Sequence, residues 1–99
     1  MTTRGRCRQI FRWLLRTFPP PNTTRLRIVT VLPKDYEDCL GACIWNDADE
    51  PMIWLKETSR SETIATLIHE YAHVLTGLEH EDEFYLTLGK VERAYWDSM

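Results

Sequence analysis

No stretch of these 99 residues is long and apolar enough to span a bilayer. Arg12 and Arg16 interrupt the apolar patch at residues 10–18, and no small-residue cleavage site follows it, so a secretory signal is not expected. Cysteine is scarce and odd in number. Cys7, Cys39 and Cys43 do not form the framework of a secreted disulfide-rich domain, and three thiols fit a reducing interior. A cytoplasmic location is the expectation. Internal repeats and low-complexity segments are absent. Acidic residues are missing from one part of the chain: residues 1–34 carry eight Lys/Arg and no Asp or Glu, whereas residues 35–99 carry four Lys/Arg and all fifteen acids. A basic arm of this kind suits a nucleic acid or another acidic partner. The plainer reading, slightly preferred, docks it on the protein's own acidic surface, because its apolar residues need cover.

What is present is enough for one domain over residues 1–99, with 43% hydrophobic residues and four Trp to build a core. Residues 1–22 read as a basic amphipathic helix followed by a proline-rich link. Ile10, Trp13, Leu14 and Phe18 share one face of residues 5–18, and Arg8, Arg12 and Arg16 lie four apart on another. Pro19-Pro20-Pro21 stops that helix. Leu26–Leu32 alternates and is β-branched, which predicts a strand ended by Pro33. Leu40–Asn46 and Met52–Lys56 predict two more, joined as an antiparallel hairpin through the turn cluster Asn46–Pro51. Ser59 and Glu62 match a capping box, so a helix begins there and runs to Thr76. Gly77 is the expected left-handed residue after it. A last helix starts near Glu81–Asp82, with Phe84, Leu88, Val91 and Tyr95 as its core stripe. The fold class is α+β: a small, mostly antiparallel three-stranded sheet packed by an N-terminal helix, a central helix and a C-terminal helix.

The central helix carries the chemistry. His69-Glu70-Tyr71-Ala72-His73 reads H-E-x-x-H. Residues four apart on a helix lie one above the other, so two imidazoles can close on one metal ion. The intervening glutamate can reach a metal-bound water as general base. Ile64, Leu67, Ile68, Tyr71, Val74 and Leu75 occupy the opposite side of the helix, so the histidines sit on its non-core face, together with Glu62, Thr66 and Thr76. Catalytic Zn²⁺ takes three protein ligands and keeps a position open. His80 leads for the third place, since the turn after Gly77 can bring its ring back. Glu92 on the last helix and a Cys39 thiolate are the other candidates. Glu79, Asp82 and Glu83 are candidate acceptors for a ligand's second ring nitrogen. Tyr85, Tyr36 and Tyr95 are the candidates for an oxyanion partner.

The run from His69 to Tyr85 resembles the zincin metallopeptidases and looks most like their SprT-like and WLM group. The pattern falls on His69, Glu70, His73, Gly77, His80 and Phe84, within residues 62–95. The resemblance implies a minimal zincin lobe and zinc-dependent hydrolysis of peptide bonds in a protein or peptide substrate. His69, His73 and His80 would bind Zn²⁺, and Glu70 would be the catalytic base. It also implies an extended substrate added to a sheet edge, expected at Met52–Lys56. The chain is too short for the second lobe that closes the cleft of many large metalloproteases. Glu37-Asp-Cys39-Leu-Gly41 faintly suggests a deformylase-like amide hydrolase with Cys39 as ligand. A non-catalytic, metal-stabilised binding or regulatory module is the reading from a different class.

Overall fold

The computed structural model describes residues 1–98. The chain order is α1 (Thr3–Thr17), β1 (Arg25–Val29), a short 3-10 turn (Lys34–Tyr36), β2 (Gly41–Trp45), β3 (Pro51–Lys56), α2 (Arg60–Thr76) and α3 (Asp82–Ser98). The α+β fold class is the one expected. The sheet is mixed rather than mostly antiparallel. β2 and β3 form the expected antiparallel hairpin, with Cys43 opposite Ile53. β1 adds to the far side of β3 in parallel, with Leu26 opposite Ile53. The order is therefore β1-β3-β2, and the expectation that Met52–Lys56 is an edge is overturned. Pro51, Ile53 and Leu55 are buried, and Met52, Trp54 and Lys56 are half-buried, as suits a strand flanked on both sides.

The hairpin loop closes on Asn46. Its Oδ1 accepts from the backbone N–H groups of Ala48 and Glu50, both at 2.9 Å. Asp49 takes a positive φ of 60°, a conformation short polar side chains tolerate. Asn22 donates to the Asp49 carbonyl at 2.8 Å and ties the proline-rich link to this loop.

One sheet face carries the core. Ile28, Cys43, Ile53 and Leu55 meet Cys7, Ile10, Phe11 and Leu14 of α1 and Leu67, Ile68, Tyr71 and Val74 of α2. α3 packs along α2 and delivers Val91 and Tyr95 to the same cluster. Full burial of an aliphatic side chain such as Ile53 or Leu55 contributes about 1.5–3 kcal/mol. Tyr71 is fully buried, and its hydroxyl donates to the Phe18 carbonyl at 2.6 Å, fastening the end of α1 to the middle of α2. The phenol satisfies a carbonyl that α1 leaves open at its C-terminus.

The basic residues are spread over α1 and β1. Arg4 pairs with Glu57 at 2.7 Å, while Arg8, Arg12 and Arg16 are exposed. Arg25 and Arg27 stand on the sheet face turned away from the helices, with the Arg27 guanidinium 5.3 Å from the centre of the Trp54 ring. No helix among the described residues is long and apolar enough to cross a membrane.

Candidate metal centre

α2 is placed by its two ends. Ser59 caps it, its Oγ accepting from the Glu62 N–H at 3.3 Å. Only that half of the expected capping box forms. The Glu62 carboxylate does not return to the cap, and lines a cleft described below. At the other end Gly77 has the expected positive φ, 103°, but with ψ −176° it is not a left-handed helical residue. This combination is essentially confined to glycine. It leaves the Gly77 N–H bonded back to the His73 carbonyl at 2.7 Å. It also sets the Gly77 carbonyl 2.8 Å from His73 Nδ1.

A carbonyl only accepts, so His73 Nδ1 carries the proton, and a neutral ring then presents the Nε2 lone pair. That Nε2 lies 3.0 Å from Nε2 of His80. One ligand atom from each of His69, His73 and His80 lies within 4.8 Å of the others. Zn–N bonds of 2.0–2.1 Å in a tetrahedron set ligand nitrogens about 3.3 Å apart. Two of the rings are already near that spacing, and modest rotation of the side chains closes the set. The chemistry of the donors also fits. Burial, with smaller contributions from neighbouring imidazoles, lowers the pKa of His69 and of His73, and for His73 it outweighs the Gly77 hydrogen bond. Both rings therefore favour the neutral, ligating form at neutral pH. The three imidazoles can hold a metal ion. Their donor type suits zinc and also copper, iron and nickel.

His73 is only 5% exposed, although it was expected at the centre of a non-core face. The cover comes from Phe84, which is buried and stacks on the His73 ring at 4.3 Å with 24° between planes. Phe84 also meets His69 at 5.1 Å and His80 at 4.9 Å, so one aromatic ring backs all three imidazoles.

Glu70 is 8% exposed, and its carboxylate has no hydrogen-bond partner among the described residues. Burial raises its pKa to about 7. A nearby cation would draw it back down. Glu70 and His69 lie at one end of a cleft of about 410 Å³ between α2 and the start of β2. Gly41 makes that approach possible. A Cβ there would meet Thr66 Cγ2 at 2.7 Å and the Trp54 carbonyl at 3.0 Å. β2 is the sheet edge at this cleft, and no strand pairs with its outer side among the described residues. Behind Glu70, burial and the carboxylate together push the Cys43 thiol up to about 12.

His69, His73 and His80 thus come together, Glu70 lines the cleft beside His69, and the remaining candidates separate. Cys39 is exposed and stands outside the histidine group. Glu92 lines a groove of about 520 Å³ between α2 and α3, with Arg60, Ile64, Tyr95 and Trp96, and is likewise outside the group. Tyr95 is in the core beside Trp13. Tyr85 is the candidate oxyanion partner that lies near the imidazoles, 6.3 Å from His80 between ring centres. The acceptor for His73 is a backbone carbonyl rather than Glu79, Asp82 or Glu83, and no side-chain pattern announces it. No protein-family model, curated protein or solved structure matches this chain.

Proposed function

We propose that the protein is a zinc-dependent metallopeptidase of zincin type, similar in its motif to the SprT-like and WLM group. The observation that carries this reading is the convergence of three imidazoles beside an unpartnered carboxylate that opens into a cleft reaching the start of the edge strand β2. His69, His73 and His80 would hold Zn²⁺, with His73 fixed in its tautomer by Gly77. Bound zinc supplies Lewis acidity toward a carbonyl oxygen and toward water. Glu70 takes the proton of the attacking water on its carboxylate and delivers it to the leaving amine. The unpaired outer side of β2, rather than β3, would align an extended substrate by adding a strand. The basic residues of α1 and β1 would face an acidic partner, nucleic acid included, at a place separate from this cleft. Three unpaired thiols suit a cytoplasmic setting.

The experiment is zinc stoichiometry together with cleavage of an unstructured protein by the parent and by Glu70→Gln. The variant keeps one zinc per chain and loses hydrolysis. Hydrolysis at the parental rate by Glu70→Gln overturns the assignment of the base.

A further inference from the structure

The cleft between α2 and β2 has a definite charge. Glu62 stands at the end away from the imidazoles, and Leu40, Ala65 and Thr66 lie between. No Lys or Arg lines it. The Glu62 carboxylate is exposed and has no hydrogen-bond or ion-pair partner among the described residues. Glu70, at the other end, is a second carboxylate without a partner, and it is more than nine-tenths buried. Its residue is buried, but its carboxylate oxygens are not sealed from solvent and reach the cleft, where a ligand's polar groups can meet them. Past the imidazoles, the turn into α3 adds Glu79, Glu81, Asp82 and Glu83, all exposed. The basic strand β1, with Arg25 and Arg27, is two strand positions away from β2 across the sheet, about 10 Å. Carboxylates therefore stand on both sides of the imidazoles, while Lys56, whose backbone N–H bonds the Leu40 carbonyl, is a cation beside the Leu40 side of the cleft without lining it.

We propose that this cleft selects a substrate segment carrying Lys or Arg about three residues from the bond that is cut, with Glu62 as the specificity-determining residue. The inference rests on the hydrolase reading above. The spacing follows from geometry. Glu62 and His69 are seven residues apart on one helix, about 10.5 Å along its axis. An extended peptide covers that distance in about three residues. Leu40 and Ala65 cover the methylene stem of a long cationic side chain while its head reaches the carboxylate. An acidic side chain at the same position meets Glu62 without a compensating cation.

The test uses the zinc-loaded full chain and fluorescent ten-residue peptides, neutral except for one Lys or one Glu moved along the sequence. The Lys peptide is cleaved with kcat/KM about three- to ten-fold above the neutral one when Lys lies three residues from the cut on one side, and the gain shrinks with added salt. In Glu62→Gln the ratio of Lys to neutral peptide falls to near one. In Glu62→Lys the preference passes to the Glu peptide. Binding of the same peptides to zinc-loaded Glu70→Gln, read by anisotropy, separates the two claims. Equal cleavage of all peptides, or a ratio that Glu62→Gln leaves unchanged, overturns the specificity and leaves the hydrolase reading intact. A Glu62-dependent preference in binding with no cleavage by the parent overturns the hydrolase reading and leaves the specificity standing. Absence of any preference in binding and in cleavage overturns the proposal.

Discussion

Two glycines allow the same chemical change to be made with opposite expected signs. Neither Gly77 nor Gly89 has an atom within 4 Å of where a Cβ would sit, so added bulk meets nothing at either place. They differ in backbone. Gly77 has φ 103° and ψ −176°, a region that costs a residue with a Cβ about 1–3 kcal/mol. Gly89 sits in the interior of α3, where alanine is favoured by about 0.5–1 kcal/mol. Gly77→Ala therefore lowers stability and Gly89→Ala raises it. In a domain of this size each kcal/mol moves Tm by about 4–8 °C. Gly77→Ala carries a second consequence. Relaxing its backbone moves the carbonyl that holds His73 Nδ1, and losing such an outer partner costs about ten- to a hundred-fold in metal affinity. Urea denaturation of the metal-free chains measures the first effect, and zinc competition against a chromogenic chelator measures the second. Gly77→Ala as stable as the parent would refute the backbone argument. A destabilised Gly77→Ala with parental zinc affinity would refute the role given to the carbonyl.

His80→Ala lowers zinc affinity by well over ten-fold, while Cys39→Ala and Glu92→Ala leave it unchanged; metal analysis after dialysis against a weak chelator ranks the three. Alkaline pH destabilises the fold. Burial raises the Tyr71 phenol from 10 to about 12, so the neutral form is the folded one. Its contribution is intact below pH 10 and declines by about 1.4 kcal/mol per pH unit as pH rises from 10 to 12. Cys43, raised from 9 to about 12, acts in the same direction and begins one unit lower. The urea midpoint should fall from pH 9 onward, more shallowly above pH 10 in Tyr71→Phe; a midpoint flat to pH 11 would contradict the burial of both groups. Thiol titration of the native chain finds one fast-reacting group, Cys39, with Cys7 and Cys43 reacting only on unfolding.

Local signals were strong where the structure is local. Ser59 and Gly77 bracket α2, and the 3.6-residue period separated Leu67, Tyr71 and Val74 from His69 and His73. The three imidazoles were legible because the turn from Gly77 to His80 is short and the spacing on α2 is fixed by the helix. The position of β3 was not. Its parallel partner lies 27 residues earlier, Arg25 against Met52, and nothing in either segment states that pairing. Burial of His73 depends on Phe84, which the core stripe of α3 included, but the stacking on an imidazole follows only once α3 folds back on α2. Glu62 reads as half of a cap from sequence. Its exposure to the cleft becomes visible only with β2 in place, which in turn needs the missing side chain at Gly41.

The strand order also dictates a sequence of events during folding. The middle ribbon of the sheet is made last on the ribosome, after both of its flanking neighbours. The hairpin can zip as soon as its second arm emerges, because its ends are close along the chain. The segment from 25 to 29 has no edge to join until then, so it and the preceding helix must wait and close a long loop. A nascent chain halted before residue 51 would present two unpaired ribbons and no platform for the histidine helix.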